Sequence, residues 1–100
     1  RRLSLILPLV LSSCSKVENA FVVEDENRSV VEAKLVLCGT ETPLPRTGER
    51  LAVSKTIGCE GSGRIRLRYA SGDEHECIVG YVIPGAVQSF TFRATESGCA

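Results

Sequence analysis

Arg64-Ile65-Arg66-Leu67-Arg68-Tyr69 alternates a cation with an apolar or aromatic residue over six positions. Successive side chains of a strand point to opposite faces, so the pattern predicts a half-buried strand. Ile65, Leu67 and Tyr69 face a core, and Arg64, Arg66 and Arg68 form a ladder of guanidinium groups on the other side. Downstream, Ser71-Gly72-Asp73 supplies a turn, after which Glu74, His75 and Glu76 return along a second strand. A three-residue loop there would set Arg68 opposite Glu76, a cross-strand ion pair of ~0.2–1 kcal/mol. His75 to Ile83 is apolar on both faces beyond Cys77 and reads as a central strand, with Gly80 marking a bulge or a close contact. Pro84-Gly85-Ala86 turns the chain into a last strand, Ala86 to Thr95, with Phe90 and Phe92 inward and Gln88 on their side.

Upstream, Gly58 to Gly63 is glycine-rich, but it leads into a strand rather than opening a helix, so a phosphate cradle is excluded by context. Leu51 to Ile57 alternates with Leu51, Val53 and Ile57 inward. Gly39 to Arg50 carries Pro43, Pro45 and Gly48 and is expected to be a long loop, either a partner contact or a crossover between sheets. Ser29 to Cys38 is β-branched, with Val31, Ala33, Leu35 and Leu37 on one face and Glu32 and Lys34 on the other. Its valines and the Gly39 stop favour a strand over a helix. These strands predict an all-β domain over residues 29–100, a small antiparallel β-sandwich or partly open barrel with an immunoglobulin-like arrangement among the candidates. From Leu51 onward the order reads as a meander.

The chain opens differently. Arg1 and Arg2 precede the apolar run from Leu3 to Leu11, the layout of a secretory signal peptide. The run is short of the ~20 residues a membrane-crossing helix needs, and Pro8 lies inside it. Since the first residue is Arg and not Met, the true start is expected to have been removed or to lie upstream. Leu11-Ser12-Ser13-Cys14 resembles the lipobox of bacterial lipoproteins: an aliphatic residue, two small residues, then the cysteine that is modified. The resemblance implies a signal peptide of residues 1–13, a diacylglyceryl (palmitate-type) lipid on the Cys14 thiol and acylation of the new amino terminus. Ser15, a residue other than Asp, goes with delivery to the outer membrane facing the periplasm. Two alternatives are a cut by ordinary signal peptidase, for instance after Ala20, and a run that belongs to the core. Residues 14–28 are expected to tether lipid to domain, with Phe21-Val22-Val23 as a short first strand or packing contact. Glu24-Asp25-Glu26 is expected to be a solvated acidic turn, with a cation or basic-partner site as the alternative.

Removing residues 1–13 leaves 87 residues, enough for one domain. Without Arg1 and Arg2 there are 10 basic residues against 12 acidic, a net charge of −2. No basic face or high pI points to nucleic acid. With Cys14 lipidated, four of the five cysteines remain, Cys38, Cys59, Cys77 and Cys99, an even number in an exported protein. Three pairings exist; Cys38–Cys59 with Cys77–Cys99 is favoured, each closing a loop of ~20 residues worth ~3 kcal/mol. Their single placement does not suit zinc. The chain has one histidine. His75 with Asp73 and Cys77 could ligate a metal only by chance spacing, and no G-x-S-x-G elbow is present. The reading is of no enzyme, no cofactor, no metal and no small-molecule substrate. Partners are the membrane, through Cys14, and another envelope protein, through Arg64, Arg66 and Arg68 or through Pro43 and Pro45. The arginines would hold an anionic partner: acidic protein, lipid A phosphates or peptidoglycan carboxylates. The competing reading is a solvated face neutralised across its hairpin.

Cys59 to Tyr69 also resembles the opening of the membrane-bound C-type lysozyme inhibitor family: a cysteine, a short glycine turn, and an alternating strand ending in an aromatic residue. The resemblance implies a small envelope lipoprotein with a β-barrel domain, and lysozyme inhibition as the alternative function. The family's Ser-Gly-x-x-Tyr inhibitory segment has no match, because Ser97-Gly98 is followed by Cys99, so no inhibitory residue carries over.

Overall fold

The computed structural model describes residues 18–85 and 87–100. The signal peptide of residues 1–13 and the lipid on Cys14 lie outside the described residues. Within them the fold is all-β, and no helix is long and apolar enough to cross a membrane. The strands are β1 (Asn19–Glu24), β2 (Val30–Leu37), β3 (Thr40–Pro43), β4 (Arg46–Thr47), β5 (Arg50–Lys55), β6 (Gly61–Tyr69), β7 (Glu74–Val82), β8 (Ser89–Thr95) and β9 (Gly98–Cys99). They form two sheets, one ordered β4-β5-β1-β8-β9 and the other β3-β2-β6-β7, packed as a sandwich.

The alternating strand behaves as its pattern requires: Ile65 and Leu67 are wholly buried, Tyr69 is buried, and the three arginines lie on the outer face. Facing it across the sandwich are Phe21 and Val23 of β1, also wholly buried. Residues expected to be tether are therefore the middle strand of the five-stranded sheet, and the domain includes Asn19 rather than starting at Ser29. A cut after Ala20 would fall inside β1. Burial of Phe21 and Val23, and the stacking of Phe21 on Phe90 at 5.1 Å, supply the reason: a domain this small needs their apolar area.

Several expectations change in the assembled sheets. β1 pairs antiparallel with β5 but parallel with β8, so the sandwich is not wholly antiparallel. β1 and β2 lie in different sheets, unlike the first two strands of an immunoglobulin constant-type domain. After Leu51 the hairpins β6–β7 and β8–β9 do not join into one meander, because the chain switches sheet between β5 and β6 and again between β7 and β8. β7 is an edge strand, not a central one. Its double-sided apolar character comes from Cys77, which faces the core and is bonded to Cys99, while Ile78 remains exposed.

The stretch expected to be a long loop is mostly strand. After a two-residue turn in which Cys38 (φ 57°) and Gly39 (φ 73°) both take positive φ, as a type I′ hairpin requires, β3 pairs with β2. Leu44 is buried and donates its N–H to the Ala33 carbonyl (2.9 Å). The chain then enters the other sheet as β4, so the crossover reading of this segment describes it better than the loop. Pro43 is tolerated because β3 is an edge, where a missing N–H breaks no ladder, and Pro45 lies between strands.

Two bulges interrupt the alternation. Gly80 (φ 90°) accompanies a register shift between β6 and β7, the bulge expected at that glycine. The second lies between Val30 and Glu32 of β2 and throws Val31 outward, leaving Val30 to fill the core in its place. Gly63 is buried for a different reason: a Cβ there would lie 2.8 Å from the Leu37 Cδ1, inside the core. Gly63→Ala is expected to cost about 1 kcal/mol and Gly63→Val about 2–3 kcal/mol by overpacking. The check is a lower urea midpoint with an unchanged m-value.

Candidate interaction face

The outer surface of the four-stranded sheet collects most of the side chains singled out in the sequence. Strand pairing sets them in rows. Pro43, Lys34, Arg66 and Glu76 are consecutive neighbours across β3, β2, β6 and β7. Beside them run Glu41, Val36, Arg64 and Ile78, and on the other flank Glu32, Arg68 and Glu74. The hairpin after β6 is tight. The Gly72 N–H donates to the Tyr69 carbonyl and Tyr69 donates to that of Asp73, each at 2.9 Å, so Arg68 lies opposite Glu74. The expected Arg68–Glu76 pair is therefore two residues out of register.

The arginine ladder is interlaced with carboxylates. Arg64 meets Glu76 at 2.9 Å, Arg66 meets Glu41 at 3.2 Å and Arg68 meets Glu32 at 3.2 Å. Lys34 sits between Glu32 (3.8 Å) and Glu41 (3.9 Å). Four cations and four carboxylates thus share the face, counting Glu74. Each pair is half exposed and worth only ~0.2–1 kcal/mol alone. Chemically this is a neutral mosaic of alternating sign, supported on the four-stranded sheet. An anion would have to displace a carboxylate to gain a guanidinium, whereas a protein surface of matching alternation could exchange partners with it. Pro43 lies at the border of this mosaic, and Pro45 is exposed just beyond it in the crossover.

The remaining candidates fall elsewhere. His75 is half buried on the inner side of β7, with its ring edge-on to Tyr69 (5.2 Å). Cys77 on the same side is bonded to Cys99, so it offers no thiolate to a metal. Among the described residues no group of three His, Cys, Asp or Glu side chains is placed to hold an ion. Cys59 is bonded to Cys38, and the glycines after it already belong to β6. Ser97 lies in the β8–β9 turn and Gly98 opens β9, where its carbonyl accepts the Tyr69 and Thr95 hydroxyls (both 3.0 Å).

Sequence reasoning missed the most connected polar group in the domain. Asp25 continues the inward alternation of Phe21 and Val23, and its side chain is only 1% exposed. One carboxylate oxygen accepts the Ser29 N–H (3.1 Å) and hydroxyl (3.2 Å). The other accepts the Val30 N–H (3.0 Å) and the Arg46 guanidinium (2.6 Å). Arg46 also donates to the Val30 and Gly48 carbonyls, so the group joins β1, β2 and the β4–β5 hairpin. Burial pushes this carboxyl pKa upward, but Arg46 and the donors from Ser29 and Val30 outweigh it and hold it below 3.8. The other two acids of the cluster turn outward, Glu24 to Arg50 (3.1 Å) and Glu26 to Arg93 (3.8 Å). The segment is a structural knot rather than a solvated turn.

No protein-family model and no curated protein matches the chain. Among solved structures it is similar to the NMR structure of the protein from Eubacterium rectale, with a TM-score of 0.59. That likeness covers 89% of this chain and 92% of the other at 12% sequence identity, and it is one of fold alone.

Proposed function

We propose that the chain is a lipid-anchored protein of a bacterial envelope, non-enzymatic, whose sandwich is an interaction module for another envelope protein. One observation carries the address: Cys38–Cys59 and Cys77–Cys99 are disulfides, with Cα separations of 5.6 and 5.2 Å. That uses four of the five cysteines and suits an oxidising compartment. Cys14 is left as the one thiol of the sequence, at the position a lipobox demands. The mosaic of Arg64, Arg66, Arg68, Lys34 and their carboxylates, bordered by Pro43, is the contact surface in this reading.

The mass of the Cys14 peptide from membrane-extracted protein tests the anchor; an unmodified thiol in the mature chain would end it. The contact surface is tested by Arg64→Ser/Arg66→Ser/Arg68→Ser in the lipidated protein. The variant is expected to fold, since it removes only half-exposed pairs, and to lose about 1–2 kcal/mol in total. Cross-linking in intact cells should then lose partners captured by the parent chain. An unchanged set of cross-linked partners would remove this face from the proposal.

A further inference from the structure

The two ends of the sandwich differ in chemistry. At one end lie the turns after β1, between β4 and β5, and between β6 and β7, which carry Asp25, Glu26, Arg28, Glu49 and Asp73. At the other end β1 begins, β5 and β7 finish and β8 starts; Lys55 and Glu60 lie there too, but the β7–β8 connection Ile83 to Gln88 contains no charged residue. Exposed large apolar side chains concentrate there: Val87 is 69% exposed and Tyr81 64%, with Ile83 also exposed. Of the other two, Ile78 lies in the middle of β7 (67% exposed) and Val31 at the bulge toward the charged end.

The apolar tip stands beside the point where the chain enters the domain. The Asn19 Oδ1 accepts the Gln88 N–H at 2.7 Å, and the Ala20 N–H donates to the Gln88 carbonyl at 3.1 Å. Val87 is therefore the neighbour of the residue locked to the start of β1. Cys14 precedes Asn19 by five residues, a span of at most ~18 Å when fully extended. An acyl chain on Cys14 would hold this end of the domain within that distance of the bilayer.

We infer that Ile83, Val87 and the ring of Tyr81 rest in the headgroup region of the membrane, as a second contact beside the lipid on Cys14. The inference rests on the lipoprotein reading above. The occupant is a phospholipid surface because the short tether delivers this tip, and not the charged end, to it. Tyr81 suits such a boundary: its ring is exposed while its hydroxyl donates to the Glu60 carboxylate at 2.7 Å, an apolar body with a polar handle. Insertion of apolar side chains beside an acyl chain adds to membrane affinity in proportion to the area buried. It also fixes orientation, with the turn that holds Asp25 and Glu26 pointing away from the membrane.

The sequence contains no Trp, so a single introduced Trp reports cleanly. The full chain, expressed with its signal segment, is extracted in detergent and reconstituted into phosphatidylethanolamine/phosphatidylglycerol vesicles as Val87→Trp and, for comparison, Val31→Trp. Trp at 87 is expected to be quenched by lipids brominated near the headgroup and to lose roughly threefold or more of its acrylamide accessibility relative to Trp at 31. Ile83→Trp is the second reporter should Val87→Trp fail to form both disulfides. Equal acrylamide accessibility at 87 and 31 with Cys14 lipidated by mass overturns the inference while the anchor stands. An unmodified Cys14 in the same sample removes both together. Shielding that grows with protein density and lacks bromolipid quenching would assign the tip to a second copy instead, and would also overturn it.

Discussion

Asp25→Ala is expected to cost about 3–5 kcal/mol, the largest loss from any single substitution considered for this domain. The side chain is buried and serves four donors on two segments, so its removal leaves the buried Val30 N–H unpaired and takes from the Arg46 guanidinium its carboxylate partner. Arg46→Ala should cost less. Its side chain is 27% exposed, and the carboxylate it leaves behind keeps the donors of Ser29 and Val30. A double-mutant cycle in urea separates the pair from the rest. A coupling energy indistinguishable from zero would show that Asp25 acts through its turn alone. The interaction is also acid-sensitive in a defined direction. The folded-state pKa lies below the ordinary 3.8, so the stabilisation is complete above that value and fades as pH falls through it toward the lowered folded pKa. Asp25→Ala should make this part of the stability profile shallower than in the parent chain, read as the urea midpoint against pH.

Reduction of both disulfides is expected to unfold the domain. The bridges span 21 and 22 residues and close separate stretches of chain. Each is worth ~3 kcal/mol in the chain-entropy model, and two independent loops add to ~6 kcal/mol. A domain of this size has only roughly 4–12 kcal/mol in hand. The two are not equivalent in position. Cys77–Cys99 joins β7 at the edge of one sheet to β9 at the edge of the other, whereas Cys38–Cys59 ties the exposed β2–β3 turn to the crossover before β6. Cys77→Ala/Cys99→Ala should therefore destabilise more than Cys38→Ser/Cys59→Ser, because it also removes a buried sulfur from the core. Urea unfolding of the two variants, with and without reductant, reads both effects. A reduced chain that keeps a cooperative transition at the parent midpoint would show that apolar burial alone suffices.

What the sequence determined by itself was everything that depends on neighbours along the chain. Alternation at residues 64–69 placed three side chains inward and three outward, and β6 carries them so. The spacing of four singly placed cysteines favoured the two bridges that form. Glycine at 80 marked a bulge. Leu11-Ser12-Ser13-Cys14, outside the described residues, owes its reading to local pattern alone. The tertiary structure decided what depends on partners far away in the chain. β1 is central because β5 and β8 close on either side of it, and nothing within residues 19–24 announces two neighbours. β7 is an edge because its apolar outer residues have no strand beyond them. Val31 faces outward because the Asp25 carboxylate takes the Val30 N–H and turns Val30 into the core, which reverses the parity of β2 at its start. The arginine ladder was legible as a row of charges, but its neutralisation was not. Glu41 and Glu32 reach it from β3 and β2, and only the assembled sheet brings those carboxylates within ion-pair distance. Side-chain direction is a local property of the backbone, while pairing, edges and charge balance follow from which segments pay the entropy of meeting.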